Sequence, residues 1–332
     1  MLSVIVPVYR NAEFIPQLMV EFTKIDAAAQ ERYGMTVEFV LVVDGSPDDS
    51  FELLQAALPT APFRSQLLLH ARNFGSFAAI RTGLRAAKGT YFAVMAADLQ
   101  EPPELVLKFF DRLVNDVSDI VVGVREGRDD PGMSRLFANL FWRFYQRFVV
   151  REIPSGGVDV FGCNQRIRDE LLRLEESNTS LVGLVYWLGF RRSEVPYRRR
   201  ARVYGKSAWT FGKKIDYFKD SVFAFTDLPV RILTVIGLLG FAVAGALALF
   251  VIVMRLTGHI HEAGYAATIV VITFFGALNT LGVGFIGSYA WRGYENTKKR
   301  PLAIVRTART FGVPCDSDEE SAADLASTGR RS

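Results

Sequence analysis

Hydrophobic and polar positions alternate along the first part of the chain in blocks that predict strands and helices in turn. Apolar, β-branched runs typical of buried strands occur at Ser3–Tyr9, Val37–Val43, Gln66–His70, Tyr91–Met95 and Ile120–Val124. Helical patterns lie between them at Glu13–Ala28, Asp49–Leu58, Phe77–Ala87 and Glu104–Asn115. Such a series predicts an α/β domain over residues 1–212, with a mainly parallel sheet and helices on both faces.

Two long uncharged runs follow this domain, Ile232–Met254 and Ala263–Trp291. Each exceeds the roughly 20 apolar residues that a helix needs to cross a bilayer, and only a short stretch separates them. The pattern favours a hairpin of two membrane helices, and two buried core helices are the alternative. The expected segments are a juxtamembrane amphipathic helix at 213–229, membrane helices within 230–292 (232–254 and 265–291), and a basic, then acidic, finally disordered tail at 293–332.

Composition excludes several classes of protein, and charge gives the chain an orientation. Of 332 residues, 50% are hydrophobic and 22% are charged, which excludes a wholly disordered chain. Cys163 and Cys315 are too few for a disulfide framework or a zinc site. The net charge of +4 is unevenly distributed along the chain. The segment Arg191–Lys219 is strongly basic, with ten Lys or Arg against two acids.

This basic segment orients the chain through the positive-inside rule. We expect an integral protein of the bacterial inner membrane, with the N-terminal domain and both termini in the cytoplasm. The opening residues MLSVIVPVYR predict a strand and not a signal peptide.

Short segments that include polar side chains lie at the ends of four of the predicted strands. They are Pro7-Val8-Tyr9, Asp44-Gly45-Ser46, Arg72-Asn73 and Asp98-Leu99-Gln100. The carboxyl ends of parallel strands meet at one edge of a sheet, where such folds bind ligands, although each group alone is also typical of a turn. The first strand is not followed by G-x-G-x-x-G, and the chain has no Walker A motif, which argues against a dinucleotide-binding domain and a P-loop enzyme.

Six segments within the first 214 residues occur in an order that is characteristic of one enzyme family. They are IVPVYRN (Ile5–Asn11), VVDGSPDDS (Val42–Ser50), RNFGSFAAIRTGLRAAKG (Arg72–Gly89), MAADLQEPPE (Met95–Glu104), GGVDVFG (Gly156–Gly162) and RVYGKSAWTFGKK (Arg202–Lys214). With them the chain resembles family 2 glycosyltransferases of the GT-A fold. Among these it is similar to the polyprenyl-phosphate glycosyltransferases related to dolichyl-phosphate mannose synthase, and the two membrane helices match one branch of that group.

Three positions depart from the family pattern, and each departure removes a polar side chain or alters it. Ala96 stands where the family's D-x-D motif has its first aspartate. Asn11 replaces a common glutamate, and Val43 replaces the first acid of an Asp-Asp-Gly-Ser motif. These changes bear on the metal geometry and on donor specificity.

The resemblance implies a nucleotide-sugar donor, whose diphosphate leaving group gains negative charge as the sugar leaves. Such a group needs a divalent cation or basic side chains. Asp98 is the candidate catalytic residue near the donor diphosphate. Asp98 and Gln100 are also the candidate oxygen ligands for Mg²⁺ or Mn²⁺. The alternative for Asp98 is that it caps the N-terminus of a helix. The implied donor-binding residues are Pro7, Tyr9, Asn11, Asp44, Arg72, Asn73, Arg202 and Lys206.

Within this set, the resemblance divides the roles between the base and the phosphates. Asp44 is expected to accept a hydrogen bond from the nucleobase, and Tyr9 or Pro7 to pack on the base. Arg202 and Lys206 are expected to hold the donor diphosphate and the acceptor phosphate. The neighbouring Arg198–Arg200 triplet is assigned mainly to anionic lipid headgroups, which attract basic juxtamembrane segments.

Asp159 matches the position where the family places an acid near the acceptor, and it is the second candidate catalytic residue. A sugar hydroxyl would need this acid as a general base. A lipid phosphate is already mostly an anion near neutral pH, because its second pKa is about 6. We therefore expect Asp159 to orient groups as much as to accept a proton; a structural acid paired with an arginine is the alternative.

Two aromatic stripes are suited to the membrane interface. Leu136–Val149 carries one, with a core helix or a subunit contact as the alternative. The second covers Ile215–Phe225, directly before the first uncharged run. Together they would hold the cleft against the inner leaflet.

The leading hypothesis is inverting transfer of one sugar from a UDP- or GDP-sugar to a polyprenyl phosphate of undecaprenyl or dolichyl type. A processive polysaccharide synthase is the second, although the Gln-x-x-Arg-Trp motif of those enzymes is absent. The third is an inactive, membrane-anchored nucleotide-sugar-binding protein, which only Ala96 supports. The expected partners are the donor, the lipid and the membrane, together with a homo-oligomer favoured by the glycine-rich helices, and no nucleic acid.

Overall fold

The computed structural model describes residues 1–126, 147, 152–154, 158–176, 179–200, 220–226, 228–257 and 264–312. The chain divides into two compact units. The first comprises Met1–Glu175, Ser180–Thr210 and Pro301–Ser332, and the second comprises Glu176–Thr179 and Phe211–Arg300.

A single eight-stranded sheet is the framework of the first unit. Its strands are β1 (Leu2–Val8), β2 (Val37–Val43), β3 (Arg64–His70), β4 (Tyr91–Val94), β5 (Ile120–Arg125), β6 (Val158–Asn164), β7 (Arg192–Tyr197) and β8 (Val305–Phe311). They lie in the order β7-β5-β6-β4-β1-β2-β3-β8. The pairs β1–β2, β1–β4, β2–β3 and β5–β7 are parallel, whereas β6 and β8 run antiparallel to their neighbours. The predicted α/β fold with a mainly parallel sheet is confirmed.

Helices connect most of these strands, as the alternating pattern predicts. They are α1 (Ile15–Tyr33), α2 (Ser50–Ala57), α3 (Ser76–Ala86), α4 (Glu104–Val114), α5 (Gln165–Arg173) and α6 (Leu181–Trp187), with short 3-10 turns at Ala12–Phe14 and Leu58–Thr60. The first helix begins two residues later than predicted, at Ile15, because Glu13 belongs to a 3-10 turn and Pro16 suits the first turn of an α-helix.

Helices pack on both faces of the sheet, because the side chains of β2 alternate between the faces and are nearly all apolar. Phe39 stacks on Phe22 of α1 with ring centroids 4.3 Å apart. Val42, which points to the opposite face, lies beside Gly83 of α3. A Cβ atom at Gly83 would lie only 2.4 Å from Ile5 of β1, so this glycine lets α3 approach the sheet closely.

A buried carboxylate organises the amino-terminal edge of the sheet. Glu38 at the start of β2 is 5% exposed and accepts hydrogen bonds from three directions. The Ser3 hydroxyl and the Lys88 backbone N–H donate to Oε2 at 3.0 and 2.9 Å, and Gln66 Nε2 donates to Oε1 at 2.7 Å. The side chain is therefore satisfied by its own chain, at the edge opposite the strand ends singled out by the sequence.

Replacing Glu38 with glutamine is expected to destabilise the protein by about 2–3 kcal/mol. The amide NH2 of glutamine would face a buried donor whose hydrogen bond the carboxylate accepts, and two donors cannot bond to each other. Thermal unfolding of the Glu38→Gln variant measures this loss. The exposed Glu52→Gln on α2 is the matched control and should unfold as the wild type does. Equal unfolding midpoints for Glu38→Gln and wild type would contradict the assigned role.

The second unit contains two long helices, α7 (Leu228–Leu256) and α8 (Tyr265–Thr297), preceded by a short helix at 220–225. Gly240 of α7 lies beside Phe275 of α8, and Leu233 lies beside Gly282. Because the partner number rises as the α7 number falls, the two helices run antiparallel. The helical hairpin expected from the uncharged runs is present.

The short helix at 220–225 is attached to α8 by polar and aromatic contacts. Arg292 pairs with Asp220 at 2.8 Å, and its guanidinium lies 5.0 Å from the ring centre of Phe223. Tyr289 packs on the same ring and donates to the carbonyl of Thr226 at 3.3 Å.

Membrane crossing by these helices is not supported. Over the residues that the structure describes, none of the helices meets the length and apolarity required to cross a bilayer. The predicted spans at 232–254 and 265–291 are thus helical, but they are not identified as transmembrane segments.

Candidate active site

Four loops meet at the carboxyl-terminal edge of the sheet. They follow β4, β1, β2 and β3, which are consecutive neighbours in the strand order. The polar groups that the sequence places at the ends of these strands therefore share one edge, as predicted. Parallel α/β sheets bind their ligands at this edge.

Asp48 joins the loop after β1 to the loop after β2. Its Oδ2 accepts from the backbone N–H of Ala12 at 3.0 Å, and its Oδ1 accepts from the hydroxyls of Ser46 and Ser50. Ser46 in turn accepts from the Arg10 backbone N–H at 2.8 Å. Arg10 has a φ of 57°, a left-handed conformation that is uncommon for a residue with a side chain, so these bonds hold a strained turn.

The pKa of Asp48 gives this junction a pH dependence. Partial burial raises the pKa of the carboxyl, but the hydrogen bonds from Ser46, Ser50 and Ala12 outweigh burial, and the net shift is downward. A lowered native pKa stabilises the fold above the usual aspartate value near 3.9, and the stabilisation is lost as pH falls through the native value.

We expect the stability difference between wild type and Asp48→Asn to be largest near neutral pH and to shrink as the pH falls below about 4. Thermal unfolding of both proteins across this range measures the difference. Asp49→Asn, at an exposed neighbour whose side chain caps no helix, should show no such trend. A difference that grows in acid would contradict the assignment.

Asp44, the predicted contact of the nucleobase, is buried and already accepts hydrogen bonds within the chain. Its Oδ1 accepts from the Phe74 backbone N–H, and its Oδ2 from that of Gly75, both at 2.8 Å. His70 Nδ1 also lies 2.8 Å from Oδ1, and Asp44 is 2% exposed. Asp44 thus holds the loop after β3 in place. The predicted contact between Asp44 and a nucleobase stays a prediction.

Gly45 brings the loops after β2 and β3 into direct backbone contact. Its φ is 57°, and a Cβ atom built on it would lie 2.3 Å from the carbonyl carbon of Arg72 and 2.5 Å from the nitrogen of Asn73. A glycine is required for both reasons. The contact fixes Arg72 and Asn73, two predicted donor-binding residues, beside the loop after β2.

Two exposed arginines at this edge lie over aromatic rings. The Arg72 guanidinium is 4.2 Å from the ring centre of Phe74, and that of Arg10 is 5.5 Å from the ring centre of Tyr9. Asn11, another predicted donor residue, instead folds back and accepts from the Tyr9 backbone N–H at 3.0 Å. The edge therefore presents positive charge in a geometry that is suited to an anionic ligand.

The loop after β4 carries the candidate metal ligands in a constrained turn. Asp98 Oδ1 accepts from the Gln100 backbone N–H at 3.3 Å. Leu99 between them has a φ of 51°, which is left-handed. Asp98 is partly exposed, whereas Gln100 is 9% exposed.

Arg199 and Arg200 hold this loop, a role that their basic run does not indicate, and their assignment to lipid headgroups stays a prediction. Arg199 Nη2 donates to Gln100 Oε1 at 2.6 Å, and its Nε lies 3.7 Å from the buried Glu101. The Arg200 backbone N–H donates to the Gln100 carbonyl at 2.8 Å, and its guanidinium lies 3.6 Å from Glu104. Both carboxylates lie within four residues of Gln100 in the chain, and a basic run alone does not reveal them as partners.

This loop offers few protein ligands to a divalent cation. Within the described residues there is no group of three or more His, Cys, Asp and Glu side chains that could hold a metal. Asp98 supplies one partly exposed carboxylate, which accepts from the Gln100 N–H, and the Gln100 side-chain oxygen accepts from Arg199. This set fits a hard cation that takes most of its ligands from a bound diphosphate and from water, as Mg²⁺ commonly does.

Cys163 takes no part in such chemistry. It is buried in β6, and burial raises the pKa of its thiol to about 12. Only a thiolate acts as a nucleophile or a metal ligand, so this residue stays inert.

Several predicted site residues cannot be placed in the same way. Arg202 and Lys206 lie outside the described residues, as do most of Leu136–Val149 and the chain after residue 312. Asp159 lies within β6, but its side chain lies outside the description. Their predicted roles stay predictions.

Comparison with known proteins places the chain in a family. Residues 3–174 match the model described as "Glycosyl transferase family 2". The chain is 30% identical to "Uncharacterized glycosyltransferase YkcC" of Bacillus subtilis, over 94% of both chains. It is also 30% identical to the undecaprenyl-phosphate 4-deoxy-4-formamido-L-arabinose transferase of Salmonella paratyphi A, over 92% of both chains.

Among solved structures, the chain is similar to the mannosyltransferase PcManGT from Pyrobaculum calidifontis in complex with GDP-Man and Mn²⁺. The identity is 17% and the TM-score is 0.46, over 88% of this chain and 84% of the other. The family match spans the strands and loops that form the edge described above. The protein is therefore a glycosyltransferase and belongs to glycosyl transferase family 2.

Proposed function

We propose that this glycosyltransferase moves a single sugar from a nucleotide-sugar donor to polyprenyl phosphate, with inversion at the anomeric carbon. The observation that carries the proposal is the convergence of Asp98 with exposed arginines at one sheet edge, an arrangement suited to a sugar diphosphate. The lipid acceptor is supported by the name of the undecaprenyl-phosphate transferase, which matches the chain over 92% of its length.

On the donor side, the residues at the edge bind and orient the diphosphate. Asp98 would hold Mg²⁺ or Mn²⁺ together with the phosphate oxygens, and the cation supplies compensation for the charge of the leaving nucleotide. Arg72 offers a second, fixed cation at the same edge. Arg202 and Lys206 belong to this proposal as additional phosphate contacts.

On the acceptor side, a phosphate oxygen attacks the anomeric carbon as the bond from that carbon to the donor diphosphate breaks. Near neutral pH the lipid phosphate is mostly an anion and needs orientation more than deprotonation. We assign this orientation to Asp159, on the basis of its match to the family pattern.

Replacing Asp159 with asparagine is expected to lower kcat about tenfold, with little change in the shape of the pH–rate profile between pH 6 and 8, because no essential proton is removed. Steady-state transfer rates at several pH values test this expectation. A loss that grows toward high pH, with the acidic limb of the wild-type profile gone, would identify Asp159 as an essential base, and an unchanged rate would remove it from the site.

The location of the protein is part of the proposal: the second unit holds it at the inner membrane, with the first unit on the cytoplasmic side. The two long helices expose large apolar side chains, which a water-facing surface rarely carries together. They are Val235, Leu238, Leu239, Val243, Leu249, Phe250, Ile272, Phe274, Val283 and Ile286. At the end of α8, Lys298 lies over the exposed rings of Trp291 and Tyr294, a combination typical of membrane interfaces.

A transfer assay tests the function. Membranes that contain the full chain are incubated with undecaprenyl phosphate and a series of radiolabelled UDP- and GDP-sugars. A lipid-soluble product carrying one sugar supports the proposal, whereas a growing polymer would identify a processive synthase. Donor binding without product would identify an inactive binding protein, and release of the chain from membranes by alkaline carbonate would contradict the proposed location.

A further inference from the structure

We infer that His70 is a positioning residue of the donor site, acting through Asp44 and Phe74 on the conformation of Arg72. The inference rests on the proposed function, because it concerns the loop that would meet the donor. It goes beyond that function by assigning a role to a side chain that lies outside the motifs shared with the family.

His70 stands at the centre of a buried chain of polar contacts. It is the last residue of β3 and is 2% exposed. Its Nδ1 lies 2.8 Å from Asp44 Oδ1, and its Nε2 lies 3.0 Å from the hydroxyl of Thr82 on α3. Because an ionised carboxylate only accepts, the hydrogen on Nδ1 is donated to Asp44.

Asp44 passes this constraint on to the loop after β3. The carboxylate that accepts from His70 also accepts the backbone N–H groups of Phe74 and Gly75. Gly75 has a φ of 98° and directly precedes α3, so the two bonds define how the chain turns into that helix. Loss of His70 would leave the buried carboxylate with one donor fewer and free it to rotate.

The ring of His70 supports Arg72 by a second route. It meets the Phe74 ring edge-on, with ring centroids 5.5 Å apart. The guanidinium of Arg72 lies over that Phe74 ring at 4.2 Å and donates to the Asn73 carbonyl at 3.2 Å. His70 therefore supports the segment that carries Arg72 in two ways: its backbone through Asp44 and its side chain through Phe74.

A departure from the family pattern agrees with this role. The family's Asp-Asp-Gly-Ser motif has a second acid, and this chain has Val43 in its place. Asp44 is thus the only acid of that motif here, and its orientation depends on the donors around it, His70 among them.

Three variants of the full chain separate positioning from general stability. His70→Leu removes both polar contacts, and His70→Asn keeps an N–H donor close to the position of Nδ1. Ser3→Ala is the control, because it removes a buried hydrogen bond from Glu38 at the opposite edge of the sheet. The measurements are kcat, donor KM with Mg²⁺, and hydrogen–deuterium exchange of the peptide that covers residues 71–78.

For His70→Leu we expect faster exchange in this peptide and a donor KM about tenfold higher, which matches the loss of one hydrogen bond to a charged group, with kcat changed less than about twofold. His70→Asn should restore both quantities to within about threefold of wild type. Ser3→Ala should lower the unfolding temperature and leave both unchanged.

Unchanged exchange at 71–78 in His70→Leu would overturn the inference, and so would faster exchange with an unchanged donor KM. A Ser3→Ala variant with the same KM defect would reduce the effect to general stability. If the wild type transfers no sugar while His70→Leu still exchanges faster, the proposed function fails and the conformational role of His70 stands.

Discussion

Replacing Asp98 with asparagine is expected to lower sugar transfer at least about 100-fold, the usual cost of removing a group that stabilises charge in a transition state. The amide keeps an oxygen that can accept from the Gln100 backbone N–H, so the turn should survive. It loses the negative charge that would bind a cation beside the donor diphosphate. Transfer rates measured over a range of Mg²⁺ and Mn²⁺ concentrations test the prediction.

The control for Asp98 is Asp49→Asn, which removes an exposed carboxylate that follows β2 at the same edge and makes no cap contact. It should transfer sugar at the wild-type rate. If Asp98→Asn kept full activity at low Mg²⁺, the cation would not depend on this carboxylate. Partial recovery of Asp98→Asn at high Mn²⁺ is expected, because the diphosphate still supplies most of the ligands.

Replacing Gly45 with alanine is expected to destabilise the protein by about 3 kcal/mol, from the left-handed φ and from overlap with backbone atoms. The new Cβ would lie 2.3 Å from the Arg72 carbonyl carbon, and main-chain atoms cannot move aside as a side-chain end can. The loops after β2 and β3 must then separate, so donor affinity should fall as well. Thermal unfolding and donor KM measure the two effects.

Gly34 offers a matched control for this glycine. Its φ of 63° is nearly the same, but a Cβ atom there would have no neighbour within 4 Å. Gly34→Ala therefore measures only the cost of a left-handed φ for alanine, which is expected to be about 1 kcal/mol. The donor KM should be unchanged. Equal losses in the two variants would show that the contact with Arg72 adds nothing.

Much of the fold follows from the apolar pattern, because β1 to β5 are short apolar runs and α1 to α4 lie between them with helical patterns. Strands β7 and β8 lack such a pattern for physical reasons. β7 contains Pro196 at the sheet edge, and β8 (VRTARTF) is mostly exposed and lies at the other edge. A strand that buries neither face needs no apolar residues at regular positions, so its sequence does not predict a strand.

The site was predictable in its location but less so in its contacts. Strand ends identify Asp44, Arg72 and Asp98 because the topology brings them to one edge. His70 is the last residue of a predicted strand, and its contact with Asp44 follows only from the strand register: Val43 pairs with Leu69, so Asp44 and His70 are the next pair. The contacts of Arg199 do not follow from the sequence, because its partners, Gln100 and Glu101, are distant in the chain.

Strand β8 has a consequence for the order in which the protein is made. It pairs with all but the first residue of β3, from Ser65–Phe311 to His70–Val305, and Ile304 accepts from the Ala71 N–H beside Arg72. Everything from α1 to α8 leaves the ribosome before β8 does. During translation the outer edge of β3 therefore stays open, a hazard for a nascent chain because open edges recruit other strands. A chain whose synthesis ended near residue 300 would contain both long helices but lack the edge strand of the sheet.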